Sequence, residues 1–290
     1  MRNKKETIEY LKINYSIKSK SELIKELGYT WNYIQKIACI SKIKRKFNET
    51  KSDNKYSKLV DYEDNISCYW LGFILADGHN NGKSIQINLS IKDKLHILKL
   101  KELIGDFKVK ENNTQIRIGI YDKKTCKKLS NDFMWVSNKT KNPPTIPTSL
   151  TNDQLFSIII GFIDGDGTIS NKGNIRIKCD KSWKNILETF YKNLTGESKE
   201  FDITSDNCSI IYFSKLEILK NIYIKANNLN LPLMERKWNR LKTYIGSKDR
   251  RQNKYTIVKN LLIMGNTPSK INNLTKFSIS FIYKVKKIYE

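Results

Sequence analysis

Trp70–Gly78 reads WLGFILADG, and Ile159–Gly167 reads IIGFIDGDG. Each stretch is apolar, with Gly at its third position (Gly72, Gly161), a small residue four further on (Ala76, Gly165), and Asp-Gly at its end. A repeat of this kind predicts two similar half-domains on one chain, with a carboxylate at the same place in each. Written as helices, Gly72 and Ala76 stand i and i+4 on one face, as do Gly161 and Gly165. A stripe of small residues lets two helix backbones approach closely, because nothing projects between them. The four residues are therefore the expected half-domain interface. Gly78 and Gly167 fall where a left-handed C-terminal cap is expected, which brings Asp77 and Asp166 together at the base of both helices.

That placement is costly. A carboxylate at a helix C-terminus opposes the macrodipole, and two neighbouring carboxylates repel. One apolar segment ending in Asp-Gly is an ordinary helix end. Two copies, each followed by an alternating strand and a helix, point to a bound divalent cation that relieves both penalties. Mg²⁺ suits one or two carboxylates with waters and a substrate phosphate, and could serve phosphodiester hydrolysis.

The segments after each motif repeat in order. Ser84–Ile91 (SIQINLSI) alternates, with Ile85, Ile87, Leu89 and Ile91 on one face and Ser84, Gln86, Asn88 and Ser90 on the other, the pattern of a half-exposed strand. A helix is expected over Lys92–Ile104 with Leu95, Leu98 and Ile104 inward. A second strand over Thr114–Ile120 exposes Gln115 and Arg117, and a helix over Thr125–Met134 follows. Asn142–Pro147 (NPPTIP) breaks structure and divides the halves. In the second half, a strand over Asn174–Cys179 exposes Asn174, Arg176 and Lys178. A helix over Ser182–Leu194, a strand over Cys208–Phe213 and a helix over Lys215–Ala226 complete the repeat. Asn, Gln and Arg are side chains that read base edges in the major groove, so these exposed residues are candidates for DNA contact. An ordinary solvated sheet face is the alternative.

The chain has 290 residues, with 53 Lys+Arg against 29 Asp+Glu, a net charge of +24. An excess of this size calls for a polyanionic partner, nucleic acid before an anionic membrane. Residues 1–47 hold 12 basic and 4 acidic residues, and residues 247–290 hold 10 and 2, so the positive charge is denser at the ends. Both ends also show helical periodicity. Ser21–Leu27, a turn at Gly28-Tyr29 and a longer basic helix over Thr30–Ile43 outline a helix-turn-helix behind a first helix over Lys5–Ile13. Near the other end, a helix over Tyr255–Met264 stops at Gly265. Thr267-Pro268-Ser269 opens a second, and Ser278 starts a third, SISFIYKVKK, in the position of a recognition helix. No apolar run approaches the ~20 residues of a membrane span. MRNKKETIEY lacks an apolar leader, so an intracellular protein without a secretion signal is expected. The five cysteines show no CxxC spacing, and two histidines leave little for a zinc site or a Ser-His triad.

On the two nine-residue stretches, the chain resembles the LAGLIDADG homing endonucleases of the single-chain, two-motif kind, over roughly Asp61–Gly246. The resemblance implies an α+β fold of two pseudo-symmetric αββαββα half-domains with saddle-shaped antiparallel sheets over DNA. The final acids of the motifs, Asp77 and Asp166, are then the catalytic metal ligands, with the backbone of Ala76 and Gly165 beside them. Mg²⁺ is the implied cofactor; Mn²⁺ would substitute, and Ca²⁺ would bind without cleavage. The family also carries a basic residue near each centre. Lys139 and Lys237 fit, with Lys141 and Arg236 as rivals. Asp164 has Leu75 as its counterpart and is not expected to be catalytic.

The implied activity is site-specific cleavage of both strands of duplex DNA at a long, asymmetric target. Both halves lie on one chain, so a monomer without a protein partner is expected. An RNA maturase for intron splicing and a non-catalytic DNA-binding regulator of the same type are the alternatives, and retention of both acids favours the nuclease. A start at Met1 and an ending KKIYE do not match the termini of a protein-splicing element. The expected organisation is a helical segment (1–47), a linker (48–60), two half-domains (61–147 and 148–246) and a C-terminal helix-turn-helix-like segment (247–290).

Overall fold

The computed structural model describes residues 3–15, 17–18, 20–43, 56–62, 64–105, 107–135 and 137–289. The chain forms two compact units, Met1–Lys55 and Tyr56–Glu290.

The first unit contains α1 (Lys4–Asn14), α2 (Lys20–Leu27) and α3 (Trp31–Ile40). An Asn3/Glu6 capping box starts α1. Gly28, at φ +68°, turns the chain after α2. Leu11, Leu23, Leu27, Ile34 and Ile37 meet in a small core of their own. The basic helix expected to reach Ile43 stops at Ile40, with Lys36 its single cation. Lys44, Arg45 and Lys46, just beyond its expected end, lie outside the described residues, as does most of the expected linker. The remainder of that linker includes a short helix, α4 (Lys58–Asp61).

In the second unit the first half runs α5 (Asn65–Asp77), β1 (Gly78–Asn80), β2 (Ile85–Ser90), a 3₁₀ turn (Ile91–Asp93), α6 (Lys94–Leu98), α7 (Leu100–Ile104), β3 (Lys108–Glu111), β4 (Gln115–Ile120) and α8 (Lys123–Asp132). The second half runs α9 (Asn152–Gly165), β5 (Thr168–Ile169), β6 (Ile175–Asp180), a 3₁₀ turn (Lys181–Trp183), α10 (Lys184–Thr195), β7 (Cys208–Phe213) and α11 (Leu216–Asn228). Both sheets are antiparallel, ordered β1-β2-β4-β3 and β5-β6-β7. The expected αββαββα order is complete in the first half. In the second, the third strand is reduced to one bridge, Ile203 with Ser209.

Two local expectations are corrected. The helix over Lys92–Ile104 breaks at Lys99, whose N–H bonds back three residues to His96 while Glu102 N–H bonds to Lys99 O. The inward face is carried by Ile97, Leu100 and Ile104, spaced i, i+3 and i+7, which leaves Leu95 79% exposed on the opposite side. The second concerns the C-terminus. One helix, α12 (Glu235–Ile263), runs for 29 residues through the boundary expected at Gly246. It is followed by α13 (Pro268–Thr275), capped by Thr267, and α14 (Ile279–Tyr289). Val258, Ile271, Ile282 and Val285 form the core of this last trio.

The large core of the second unit is organised by α5 and α9. Ser67 through Ala76 are all buried, as expected of a helix enclosed on every side. Side-chain caps fix both starts: Asp64 accepts from Ser67 N–H on α5, and Thr151 and Gln154 form a capping box on α9. The two helices touch through backbone. A Cβ on Gly72 would lie 1.9 Å from Ile158 O, and one on Gly161 would lie 1.8 Å from Tyr69 O. On Gly165 it would stand 2.4 Å from Ala76 Cβ. The expected interface of Gly72, Ala76, Gly161 and Gly165 is therefore the contact line. Gly72→Ala and Gly161→Ala should each destabilise the protein by about 3 kcal/mol or more, because the clash is with backbone. Gly246→Ala, within α12 and facing open space, should stabilise by about 0.5–1 kcal/mol. Urea denaturation of the three variants checks both directions.

Candidate active site and nucleic-acid face

Both motif helices end at their acids without the left-handed cap expected at Gly78 and Gly167. Gly78 has φ −80° and ψ 152° and enters β1 directly. The glycines are needed for space: a Cβ would stand 2.3 Å from Ile74 O at Gly78 and 2.6 Å from Ile163 O at Gly167. The chain leaves each helix so tightly that no side chain fits over the last turn. Asp77 is half-buried and Asp166 reaches the surface. The Asp77 carboxylate lies against the end of α9, with Oδ2 3.3 Å from where a Gly165 Cβ would be. Desolvation, with the charge of Asp166 adding to it, pushes Asp77 up to about 6, against the pull of Lys139 and Lys237. Desolvation also raises Asp166, again opposed by the two lysines.

The structure carries Lys139 and Lys237 to the same place, where their ammonium groups bind backbone. Lys139 Nζ donates to Leu75 O at 2.8 Å and also to Ala76 O. Lys237 Nζ reaches Ile163 O, Asp164 O, Gly165 O and Gly167 O at 3.0, 2.7, 3.0 and 2.6 Å. Three N–H donors facing four acceptors means that one is shared. The last carbonyls of a helix lack intrahelical partners and carry the negative end of its dipole, so each lysine replaces the missing cap. Burial lowers both ammonium groups, opposed by Asp166 and Asp77 at Lys139 and by Asp164 and Asp77 at Lys237. The backbone oxygens of Ala76 and Gly165, expected beside a metal, are thus engaged by ammonium groups.

The rivals, Lys141 and Arg236, have another task. Arg236 forms a bidentate pair with buried Asp93, at 2.9 and 3.0 Å, and Lys141 pairs with Asp180 at 2.6 Å. Asp93 ends the 3₁₀ turn that follows β2 and Asp180 ends β6, so the segment carrying each lysine is clasped to the opposite half. Trp183 Nε1 donates to Lys139 O and Ser182 Oγ to Thr140 O, reinforcing one clasp. A signal for this exists in the chain: IKDK at 91–94 and KCDK at 178–181 place Asp-Lys after the second strand in both halves.

Asp164 is fully buried between the halves. Oδ2 accepts from Tyr69 O–H at 2.6 Å and Met234 N–H at 2.9 Å, and Oδ1 accepts from Trp238 Nε1 at 2.7 Å. It thereby ties α5 of the first half to the start of α12, three residues from Lys237. With Tyr69 donating to Asp164, the Tyr69 oxygen accepts from His96 Nε2–H at 3.0 Å, which leaves Nδ1 as a buried acceptor without a partner.

The open sheet faces carry most of the expected DNA-contact residues. Asn88, Ser90, Gln115 and Arg117 are exposed on the first sheet and Gln86 is partly so; Arg176 and Lys178 are exposed on the second, with Asn174 half-buried before β6. Asn88 and Arg117 face each other across β2 and β4, joined by Arg117 Nε to Asn88 Oδ1 at 2.6 Å. Ser84 departs from the expectation. It is 2% exposed and lies in the β1–β2 turn, with its N–H and Oγ both donating to Asn81 Oδ1. The strand begins at Ile85, one residue later than the sequence suggests. His79, Lys108 and Lys110 on the first face and Thr168 and Tyr212 on the second were missed. Their strands are too short, or too irregular in hydropathy, to show alternation.

Among the described residues, no three His, Cys, Asp or Glu side chains cluster as a metal site. The donor set is two carboxylates whose proton affinity is raised by burial, with Asp166 adding to the shift of Asp77. That set fits a hard, oxygen-seeking divalent cation whose remaining ligands are water and phosphate. No helix of the described residues is long and apolar enough to cross a membrane.

No family profile matches the chain. The solved structures that it resembles include LAGLIDADG homing endonucleases. I-AabMI bound to uncleaved DNA is 14% identical, with 76% of this chain and 98% of that one covered and a TM-score of 0.44. I-GzeII in complex with its DNA target is 15% identical, with 77% and 96% covered and a TM-score of 0.42. I-SmaMI bound to an uncleaved DNA target in the presence of calcium ions is 13% identical, with 63% and 92% covered and a TM-score of 0.44. A probable phosphoenolpyruvate synthase of Methanocaldococcus jannaschii is 31% identical over 140 residues, 45% of this chain and 11% of that protein. The chain thus spans only a small part of that relative.

Burial holds His96 far below its ordinary 6.5, at about 3, with Lys99 adding to the shift. Below pH 6.5 the unfolded chain takes a proton that folded His96 refuses, so stability falls with pH until about 3. Relative to His96→Gln, the parent protein should lose about 1.4 kcal/mol per pH unit across that window, measured by urea denaturation at each pH.

Proposed function

We propose that the chain is a site-specific endonuclease that hydrolyses both strands of duplex DNA with a divalent metal. The observation that supports this reading best is the convergence of Asp77 and Asp166 at crossed helix ends, beside sheet faces rich in amide and basic groups. Asp77 and Asp166 would hold the cation, Mg²⁺ or Mn²⁺, between them. When bound, it supplies activation of the attacking water and neutralisation of charge on the scissile phosphate. Lys139 and Lys237 hold the helix ends rigid, so that both carboxylates keep their aim without a side-chain cap. They also place two positive charges where a phosphate would gain negative charge. Asn88, Arg117, Arg176 and Lys178 offer donors and acceptors to base edges and phosphates. Both acids belong to one chain, so one copy suffices. An uncharged amide at either position would remove most of the cation's attraction.

Asp77→Asn and Asp166→Asn should each cut double-strand cleavage by about 10³-fold or more while leaving DNA binding intact. A library of long randomised duplexes, incubated with Mg²⁺ or Mn²⁺ and sequenced at new ends, provides the substrate and the readout. Unchanged double-strand cleavage in either variant would remove the metal assignment.

A further inference from the structure

Beyond the first turn of α12, the C-terminal trio of helices has no part in the site described above, yet it carries a cleft of unusual charge. Arg250, Arg251 and Lys254 of α12, Lys276 at the end of α13 and Lys284 of α14 surround a cleft of about 850 Å³, and among the described residues no carboxylate lines it. All five cations are exposed. Asp249, the nearest acid in sequence, is drawn away by an ion pair with Lys220. Five like charges around one concavity repel one another, and a polyanion is what relieves them.

The shape of the cleft narrows the partner. Arg250 and Lys254 stand one turn apart on one helix face, with Cβ atoms ~5–6 Å apart, a spacing on the scale of successive phosphates along a strand. Ser278 and Ser280 at the start of α14 line the same cleft and bring hydroxyl and first-turn N–H donors to it. Phe277 and Phe281 pack edge to face at 6.2 Å, and Lys254 sits 5.2 Å above the Phe277 ring, so this wall is fixed by packing. The cleft's own scaffold is sound: Val258, Ile271, Ile282 and Val285 are buried beneath it. Between Leu241 and Val258, by contrast, α12 buries no residue, so the helix carries the cleft away from the large core.

We infer that this cleft is a phosphate clamp for duplex DNA, binding backbone beyond the cleavage core. The trio then engages DNA through the concavity between α12 and the start of α14, and α14 need not lie in the major groove as a recognition helix. This inference rests on the endonuclease reading for its choice of DNA.

The test uses the full chain without divalent metal, binding a long random-sequence duplex across a KCl series. Arg250→Ala, Arg251→Ala and Lys254→Ala together should weaken binding at least ~10-fold and reduce the slope of log K against log [KCl] by about 2–3. A matched triple variant on the outer face of α8, Lys123→Ala, Lys124→Ala and Lys127→Ala, removes the same charge and should leave the slope unchanged. Thermal melting verifies folding; if the first variant melts early, Lys276→Gln with Lys284→Gln takes its place. A parent slope in the cleft variant, or an equal loss in the α8 variant, overturns the clamp while leaving the endonuclease reading intact. Loss of RNA binding alone would assign the cleft to RNA and overturn it too. Failure of the parent protein to bind any duplex would bring down the endonuclease reading first.

Discussion

Everything at the candidate site depends on the backbone contact between α5 and α9. Two helices that meet with carbonyl oxygens where a methyl group would stand must have glycine on both sides, and Gly72 and Gly161 supply it. The approach fixes where the helices end, and their ends carry the acids. A wider crossing would expose Asp77 and separate it from Asp166, easing the burial and the like charge that together hold it at about 6. The glycine that follows each acid is pressed against the last turn of its own helix, and neither takes the left-handed cap conformation. Two lysines, Lys139 from the segment after α8 and Lys237 from the first turn of α12, complete the helices instead. Packing, capping and the electrostatics of the site are thus one problem solved at one place.

The halves are similar, but their support is not equal. Lys237 is 7% exposed and meets four carbonyls, whereas Lys139 is only half-buried. Asp164 reaches across to Tyr69 and binds the start of α12, and Leu75 offers the first half nothing comparable. A buried carboxylate costs free energy unless it is fully hydrogen-bonded, and three donors meet that need here. The second half therefore fixes its lysine more firmly than the first.

The motifs, the strands and the sheet faces were legible in the sequence because they depend on local period and on repetition. Cys208–Phe213 is a strand as read, and the glycine stripe is the contact line. The misses are where tertiary structure decides. Leu95 reads as inward beside Leu98, but the core takes the opposite stripe of Ile97, Leu100 and Ile104. Ser84 continued the alternation on paper but belongs to a turn. Lys139 and Lys237 were found as charges near the acids, yet their binding to helix ends requires knowing that the left-handed caps are missing. The Asp93–Arg236 and Asp180–Lys141 clasps join residues remote in the chain, and only the repeated Asp-Lys hints at them. The length of α12 was hidden by its polar middle, where no residue is fully buried and partly buried ones such as Tyr244 and Ile245 make no continuous apolar stripe.

That polar middle makes α12 a ruler. Lys237 occupies its first turn and Arg250 a turn much further along, on one unbroken helix. At 1.5 Å per residue the two stand roughly 20 Å apart, a distance set by residue count and not by any hinge. Whatever the basic cleft grips is held at a fixed offset from the paired acids. Adding or deleting residues in the bare stretch would shift that offset and rotate the cleft by about 100° per residue around the helix axis.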